Sequence, residues 1–331
     1  MFKRTGLTIA ALLLSTTMAA TQPACLPKSV FVNTEGQFPL IELGTVGKVP
    51  TLCAYERALG SEAGKPLGCW AVDLKTGALG TSTASGLPGR GHRVDLDTKG
   101  CANGYCIPPA DGQKPFFAVS TDGKHAAILT TERLTIFDTK TKAKVTDIEL
   151  AKADAPEQTN VSNASWGLLY NGDTLFVIGA DAGPFIGVWV FKENGDRAGR
   201  VDVGAEAFNI FNGGYSILDG NRVALADAGL QNLTIVTGAN AAKKTTKRTV
   251  NYAPCTKDQF EEWSLGDDES PKGACKATLD AKYRPYVDVS PLQGPSGDII
   301  VALSGPAQGS LAVLNPATLK ETRRLKLARC S

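Results

Sequence analysis

Four short apolar runs, closed by turns and repeated along the chain, set the strongest limit on what these 331 residues can fold into. The clearest copy runs from Phe116 to Leu150 as FFAVSTDG, KHAAILTTE, RLTIFDTKTK and AKVTDIEL. Runs rich in Val, Ile, Thr and Phe between turn residues read as an antiparallel meander, because β-branched and aromatic side chains suit a pleated surface. The plan returns as SWGLLYNG, DTLFVIGADAG, FIGVWVFKENG and DRAGRVDVG, and again as FNIFNGGYSILDG, NRVALADAG, NLTIVTGAN and KKTTKRTVN. A more diverged copy near the C-terminus reads YVDVSPLQGPSG, DIIVALSG, SLAVLNPAT and KETRRLKLA.

The glycine of the first reversal falls at Gly47, Gly123, Gly172, Gly220 and Gly297, so successive copies are separated by 76, 49, 48 and 77 residues. Each long step contains a cysteine pair, Cys101 with Cys106 or Cys255 with Cys275. Five four-stranded units with insertions at about 86–114 and 252–284 explain both spacings. One four-stranded sheet cannot bury both of its faces, but equal units stacked around an axis can, and the chain therefore reads as an all-β propeller of five to six blades. The N-terminal run SVFVNTEGQFPLIELG offers two further strands, which leaves the count open. A β-sandwich with long loops is the alternative, and it gives no reason for the period to persist.

The ending Ile136-Phe137-Asp138-Thr139-Lys140-Thr141, the preceding Ser120-Thr121-Asp122-Gly123-Lys124 and the matching Asp73-Leu74-Lys75-Thr76-Gly77 resemble the YVTN-type and WD-repeat-like propellers of secreted bacterial proteins. The resemblance implies a fold and no particular activity.

The N-terminus has the three parts of a secretory signal: Lys3 and Arg4, the apolar stretch Leu7 to Leu14, and small residues at Thr17, Ala19 and Ala20. The expected organisation is a signal peptide over 1–20 and one propeller domain over 21–331, secreted or periplasmic. A lipid anchor on Cys25 is the alternative, although Gln22-Pro23-Ala24 lacks the aliphatic residue that such processing favours. No later run approaches the roughly 18 apolar residues of a spanning helix. Without Lys3 and Arg4 the chain has 33 basic and 33 acidic residues, too balanced for a phosphate backbone, so no nucleic-acid partner is expected. Lys243, Lys244, Lys247 and Arg248 read as the solvated side of an edge strand.

Eight cysteines in a secreted chain imply disulfides rather than a metal cluster, since no CxxC occurs and there are two histidines. Cys53 and Cys69 lie in adjacent strands of the first unit, and Cys101 with Cys106 and Cys255 with Cys275 close the two insertions. Cys25 and Cys330 remain, and a closed ring brings its chain ends together, so they are expected to pair.

In a propeller the second-to-third loops and the connections between blades emerge on one face. Both insertions leave from that face, which is where a partner is expected. Glu56, Glu132, Asp181 and Asp227 fall at corresponding ends of second strands. Converging on the axis, they would suit calcium or a polar ligand, but Asp-Ala-Gly is also good turn chemistry that needs no ligand. The second insertion carries Phe260 and Trp263 beside Asp267 and Asp268, either an aromatic anchor in an acidic rim or side chains that pin the insertion down. His92 lies in GLPGRGHRVD, read as a flexible loop, and His125 follows a turn with no carboxylate pair nearby in sequence. With no GxSxG, HExxH or phosphate-binding loop, the leading expectation is a binding or scaffolding module for a protein, peptide or glycan. The rival is a lactonase-like enzyme with a metal or polar ligand in the channel.

Overall fold

The computed structural model describes residues 24–31, 39–57, 63–108, 114–130, 133–150, 165–180, 186–203, 214–218, 220–226, 232–238, 240–247, 288–304 and 309–331. They form five antiparallel four-stranded blades, each ordered from the axis outward as in the sequence. Blade 1 comprises β1 (Leu40–Val46), β2 (Val49–Arg57), β3 (Ala63–Val72) and β4 (Leu79–Thr81). The first insertion contributes β5 (His92–Arg93) and a hairpin of β6 (Cys101–Ala102) and β7 (Tyr105–Cys106). Blade 2 is β8 (Phe116–Val119), β9 (His125–Leu129), β10 (Arg133–Asp138) and β11 (Lys144–Glu149). Blade 3 is β12 (Ser165–Asn171), β13 (Thr174–Ala180), β14 (Ile186–Lys192) and β15 (Arg197–Asp202). Blade 4 is β16 (Gly214–Leu218), β17 (Arg222–Ala226), β18 (Asn232–Thr237) and β19 (Ala242–Lys247). Blade 5 is β20 (Asp288–Gln293), β21 (Ile299–Ser304), β22 (Ser310–Leu314) and β23 (Glu321–Lys326).

Burial explains the strand compositions. The second strands HAAIL and RVALA are almost entirely buried because sheets or insertions cover both faces, so they read as continuous apolar runs instead of alternating. The outer strands KVTDIE, RAGRVD, AKKTTK and ETRRLK are polar, as edges open to water must be. Lys243 and Lys244 are exposed on β19, the outer edge of blade 4. Apolar clusters bind blade 2 to 3, 3 to 4, 4 to 5 and 5 to 1. Near the axis, Ser216 Oγ donates to Leu43 O at 2.9 Å and ties β16 to β1.

The blade count resolves to five among the described residues. Of the N-terminal run, LIELGTV becomes β1 of the first blade, and Lys28–Phe31 forms a 3-10 turn rather than a strand of a sixth. Just before it, Leu26 N donates to Ala328 O and Cys330 N to Leu26 O, so the N-terminal segment pairs with the C-terminus.

Two turn positions carry the repeat. The glycine used to measure the period has φ of 63°, 75°, 60°, 71° and 86° at Gly47, Gly123, Gly172, Gly220 and Gly297, left-handed values that favour glycine. At the third-to-fourth turn, Asp73 accepts from Lys75 N and Thr76 Oγ1, Asp138 from Thr141 N and Oγ1, and Asn315 from Ala317 N and Thr318 N. The Asp/Asn-x-x-Thr ending that underlies the family resemblance is thus a side-chain-capped turn. The donors hold the Asp73 and Asp138 carboxyls below their ordinary range.

Blades 1 and 2 meet differently. The inner flank of blade 2 (Phe117, Ala126, Ile128, Phe137) packs on Ala102, Tyr105 and Ile107 of the first insertion. The facing side of blade 1 (Leu40, Cys53, Tyr55, Cys69) is covered by Ala84 and Leu87. Lys142, in the β10–β11 turn, lies 3.7 Å from the Tyr105 ring centroid. The insertion therefore starts on the face of the inter-blade connections and then wedges into the seam, reaching the turns at the other end.

Three disulfides join Cys25 to Cys330, Cys53 to Cys69 and Cys101 to Cys106. Cys53 and Cys69 are register partners on β2 and β3. Cys255 and Cys275 lie outside the described residues. No described helix is long and apolar enough to cross a membrane. The disulfides are compatible with an extracellular or periplasmic setting.

Candidate functional site

The axis is occupied by the chain itself. Leaving blade 1, residues 87–93 run between two innermost strands: Gly91 N donates to Leu168 O and Tyr170 N to Gly89 O, both at 2.7 Å, while His92 and Arg93 pair with Phe117 and Phe116 of β8. The expectation of a flexible loop over GLPGRGHRVD does not hold, because this segment fills backbone hydrogen bonds on β8 and β12. Its glycines permit the approach. Gly89 has φ +74°, and a Cβ there would stand 1.9 Å from Tyr170 O; one on Gly91 would stand 2.5 Å from Leu168 O.

The two glycines bracket Arg90, whose side chain is 2 % exposed and forms an ion pair with the equally buried Glu42 of β1. The guanidinium carbon sits 3.8 Å from the centroid of the Tyr215 ring on β16, within cation–π range. Burial opposes the Arg90 charge, but Glu42 and the surrounding tyrosines outweigh it and raise its pKa above the ordinary value. Tyr55 accepts the Leu87 N–H at 2.8 Å, and burial, reinforced by Glu42, pushes its hydroxyl far above the usual tyrosine range. It stays protonated. Arg90 Nε and Nη1 are buried without a hydrogen-bond partner among the described residues. They lie beside a small recess lined by Glu42, Gly44, Thr45, Leu87 and Ser216. Gly44 and Thr45 stand near the β1–β2 turn, so the recess opens on the face opposite the inter-blade connections.

Of the carboxylates expected around the axis, Glu56 is exposed near the outer end of β2. Glu132, Asp181 and Asp227 lie outside the described residues, as do Phe260, Trp263, Asp267 and Asp268. What stands at the axis is a paired guanidinium. Two features foreshadow it: an arginine between two glycines, and one acidic residue inside the otherwise apolar LIELGTV.

His92, next along the plug, is held below the ordinary histidine range by burial and then by the Arg90 charge. Its neutral form is therefore favoured in the folded state. Its contribution to stability is full above about pH 6.5, the unfolded value, and declines as pH falls from there through the depressed folded value. His92→Asn is expected to flatten the acid limb of a stability–pH profile measured by urea unfolding; an unchanged limb would mean that His92 titrates as in water.

No protein-family model matches the chain, and no curated protein matches it. Solved structures that superpose include a nidogen/laminin complex (TM-score 0.36, 11 % identity, 88 % of this chain and 80 % of that one). U3-55K gives TM-score 0.36 and 8 % identity over 87 % and 68 % of the two chains. A structure provisionally assigned as a 6-phosphogluconolactonase from Bacteroides uniformis gives TM-score 0.36 and 14 % identity over 86 % and 70 %. At this level the fold is read from the sheets themselves. The chain is a five-bladed β-propeller, closed at its ends by a disulfide and crossed at its axis by its own residues.

Proposed function

We propose that the protein is a secreted or periplasmic binding and scaffolding module, which takes a protein, peptide or glycan on the face of its inter-blade connections. The observation behind this reading is the filled axis. Arg90 is already neutralised by Glu42, and the backbone around it is hydrogen-bonded to β8 and β12, which leaves the broad faces as the natural ground for a partner. In this reading Phe260 and Trp263 anchor the partner and Asp267 and Asp268 rim the contact. The Glu56, Glu132, Asp181 and Asp227 set is then turn chemistry rather than a calcium site. A photo-reactive residue in place of Glu262, beside the anchor, should capture a discrete partner in the native compartment, whereas one at Lys48, in the β1–β2 turn of the opposite face, should not. Trp263→Ala should weaken capture at least about tenfold, as a central aromatic anchor does, with little change in melting temperature. Equal capture from both positions would defeat the proposal.

The rival, a lactonase-like enzyme with an axial ligand, draws on the recess beside the unpartnered Arg90 nitrogens. Hydrolysis of sugar lactones above the spontaneous rate, lost in Arg90→Lys, would favour it. A rate no faster than buffer retires it.

A further inference from the structure

A second cluster lies away from the plug, at the seam between blades 2 and 3 and on the face of the first hairpin turns. Asp122 is in the β8–β9 turn, His125 begins β9, and Glu193 follows β14. One ligand atom from each lies within 4.8 Å of the other two. His125 Nδ1 is 3.6 Å from Glu193 Oε2 and is buried without a hydrogen-bond partner among the described residues. At that distance the two atoms are too far apart for a hydrogen bond. The interval does match neighbouring ligands of a tetrahedral ion, which at metal–ligand distances of about 2.1 Å stand roughly 3.4 Å apart.

The surroundings fix these groups. Asp122 Oδ1 accepts from Ser120 Oγ and Lys124 N, and His125 N donates to the same Ser120 Oγ. Glu193 N is tied to Asp173 O at 2.8 Å. On β12 of blade 3, Tyr170 has a fully buried side chain whose hydroxyl has no hydrogen-bond partner among the described residues. Burial, and then the Glu193 and Asp122 carboxylates, raise its pKa well above the usual tyrosine range. A buried hydroxyl without a partner is rare, and it points to a group that the protein alone does not supply.

We propose that Asp122, His125 and Glu193 form a site for a divalent transition ion of the zinc class, with Tyr170 hydrogen-bonded to a water in its open coordination position. An imidazole nitrogen with two carboxylates suits such an ion, whereas calcium requires six to eight oxygens. With Nδ1 as the ligand, the His125 proton sits on Nε2. The Lys124 ammonium, 2.6 Å from Asp122 Oδ2 but 72 % exposed, is the ion's competitor and is free to swing into solvent. Because the three ligands come from two blades, the ion pins that seam.

Titration calorimetry and thermal melts of tag-free protein with zinc chloride or calcium chloride test this. One equivalent of zinc should bind at least tenfold more tightly than calcium, and zinc at a hundredfold over its Kd should raise Tm by about 5 °C. Glu193→Gln and His125→Gln are near-isosteric and should each weaken zinc binding at least thirtyfold. Their circular dichroism reports on folding, and either variant suffices if the other fails to fold. Lys124→Met should bind zinc as well or better. Absence of a stoichiometric zinc site, zinc binding indifferent to the glutamate and histidine substitutions, or loss of binding in Lys124→Met would each overturn the proposal.

Discussion

Glu42→Gln is expected to destabilise the protein by about 3–5 kcal/mol, the range for breaking a buried ion pair from one side. The effect comes from what is left behind: Arg90 keeps its charge at a site where its side chain is 2 % exposed. Its backbone cannot withdraw, because Gly89 and Gly91 are hydrogen-bonded to Tyr170 and Leu168. Removing both charges together, as in Glu42→Leu with Arg90→Met, should recover most of the loss, since apolar replacements of a buried pair are often neutral. Urea unfolding of the two single variants and the double variant gives the coupling energy directly. A surface pair provides the control. Lys114 and Asp95 are 2.7 Å apart but 62 % and 80 % exposed, and breaking them should change stability by less than about 1 kcal/mol. A Glu42→Gln effect as small as that would mean that water reaches the axis and that the plug is not the structural centre of the ring.

This contrast bears on what the sequence could convey. Local regularities were legible: the glycine with positive φ in each first hairpin, the Asp-x-x-Thr turns, the apolar second strands and the lysines of β19 all follow from a few residues and their immediate neighbours. The axial plug was not. GLPGRGH has the composition of a loop, and its role as an inner strand depends on the edges of β8 and β12, which lie later in the chain and are not read from its own residues. Arg90 and Glu42 are 48 residues apart in different elements, and nothing local in either marks the other as its partner. The same holds for His125, which lacks a nearby carboxylate pair in sequence and gains Glu193 only because blades 2 and 3 pack together. The strand count stayed open at the N-terminus for a related reason. Lys28–Phe31 has the residues of a strand, but the adjacent chain is held to the C-terminus, where Leu26 and Val30 join the cluster between blades 5 and 1.

That junction is where the Cys25–Cys330 disulfide acts, and removing it as Cys25→Ser with Cys330→Ser should lower stability by about 6 kcal/mol. The chain-entropy model gives this figure for a closed loop of about 300 residues, and the sequence separation is 305. Cys101–Cys106 spans only 5 residues, so the same model gives about 2 kcal/mol for its removal. The larger loss should also be local in character. Leu26, Val30, Leu325 and Leu327 pack with Ile41, Trp70 and Ile300 across the last seam, and the terminal strand pairing consists of Leu26 N to Ala328 O and Cys330 N to Leu26 O. Without the covalent closure those contacts still form, but each opening of the seam then frees both chain ends at once. Hydrogen exchange should therefore accelerate first at Leu26, Leu327 and Cys330 (as serine in the variant), while amides of β13 in blade 3 keep their protection, as expected for sub-global opening. Equal losses for the two disulfides, or uniform acceleration through all five blades, would show that the ring is held by its apolar seams alone and that Cys25–Cys330 merely records the proximity of the chain ends.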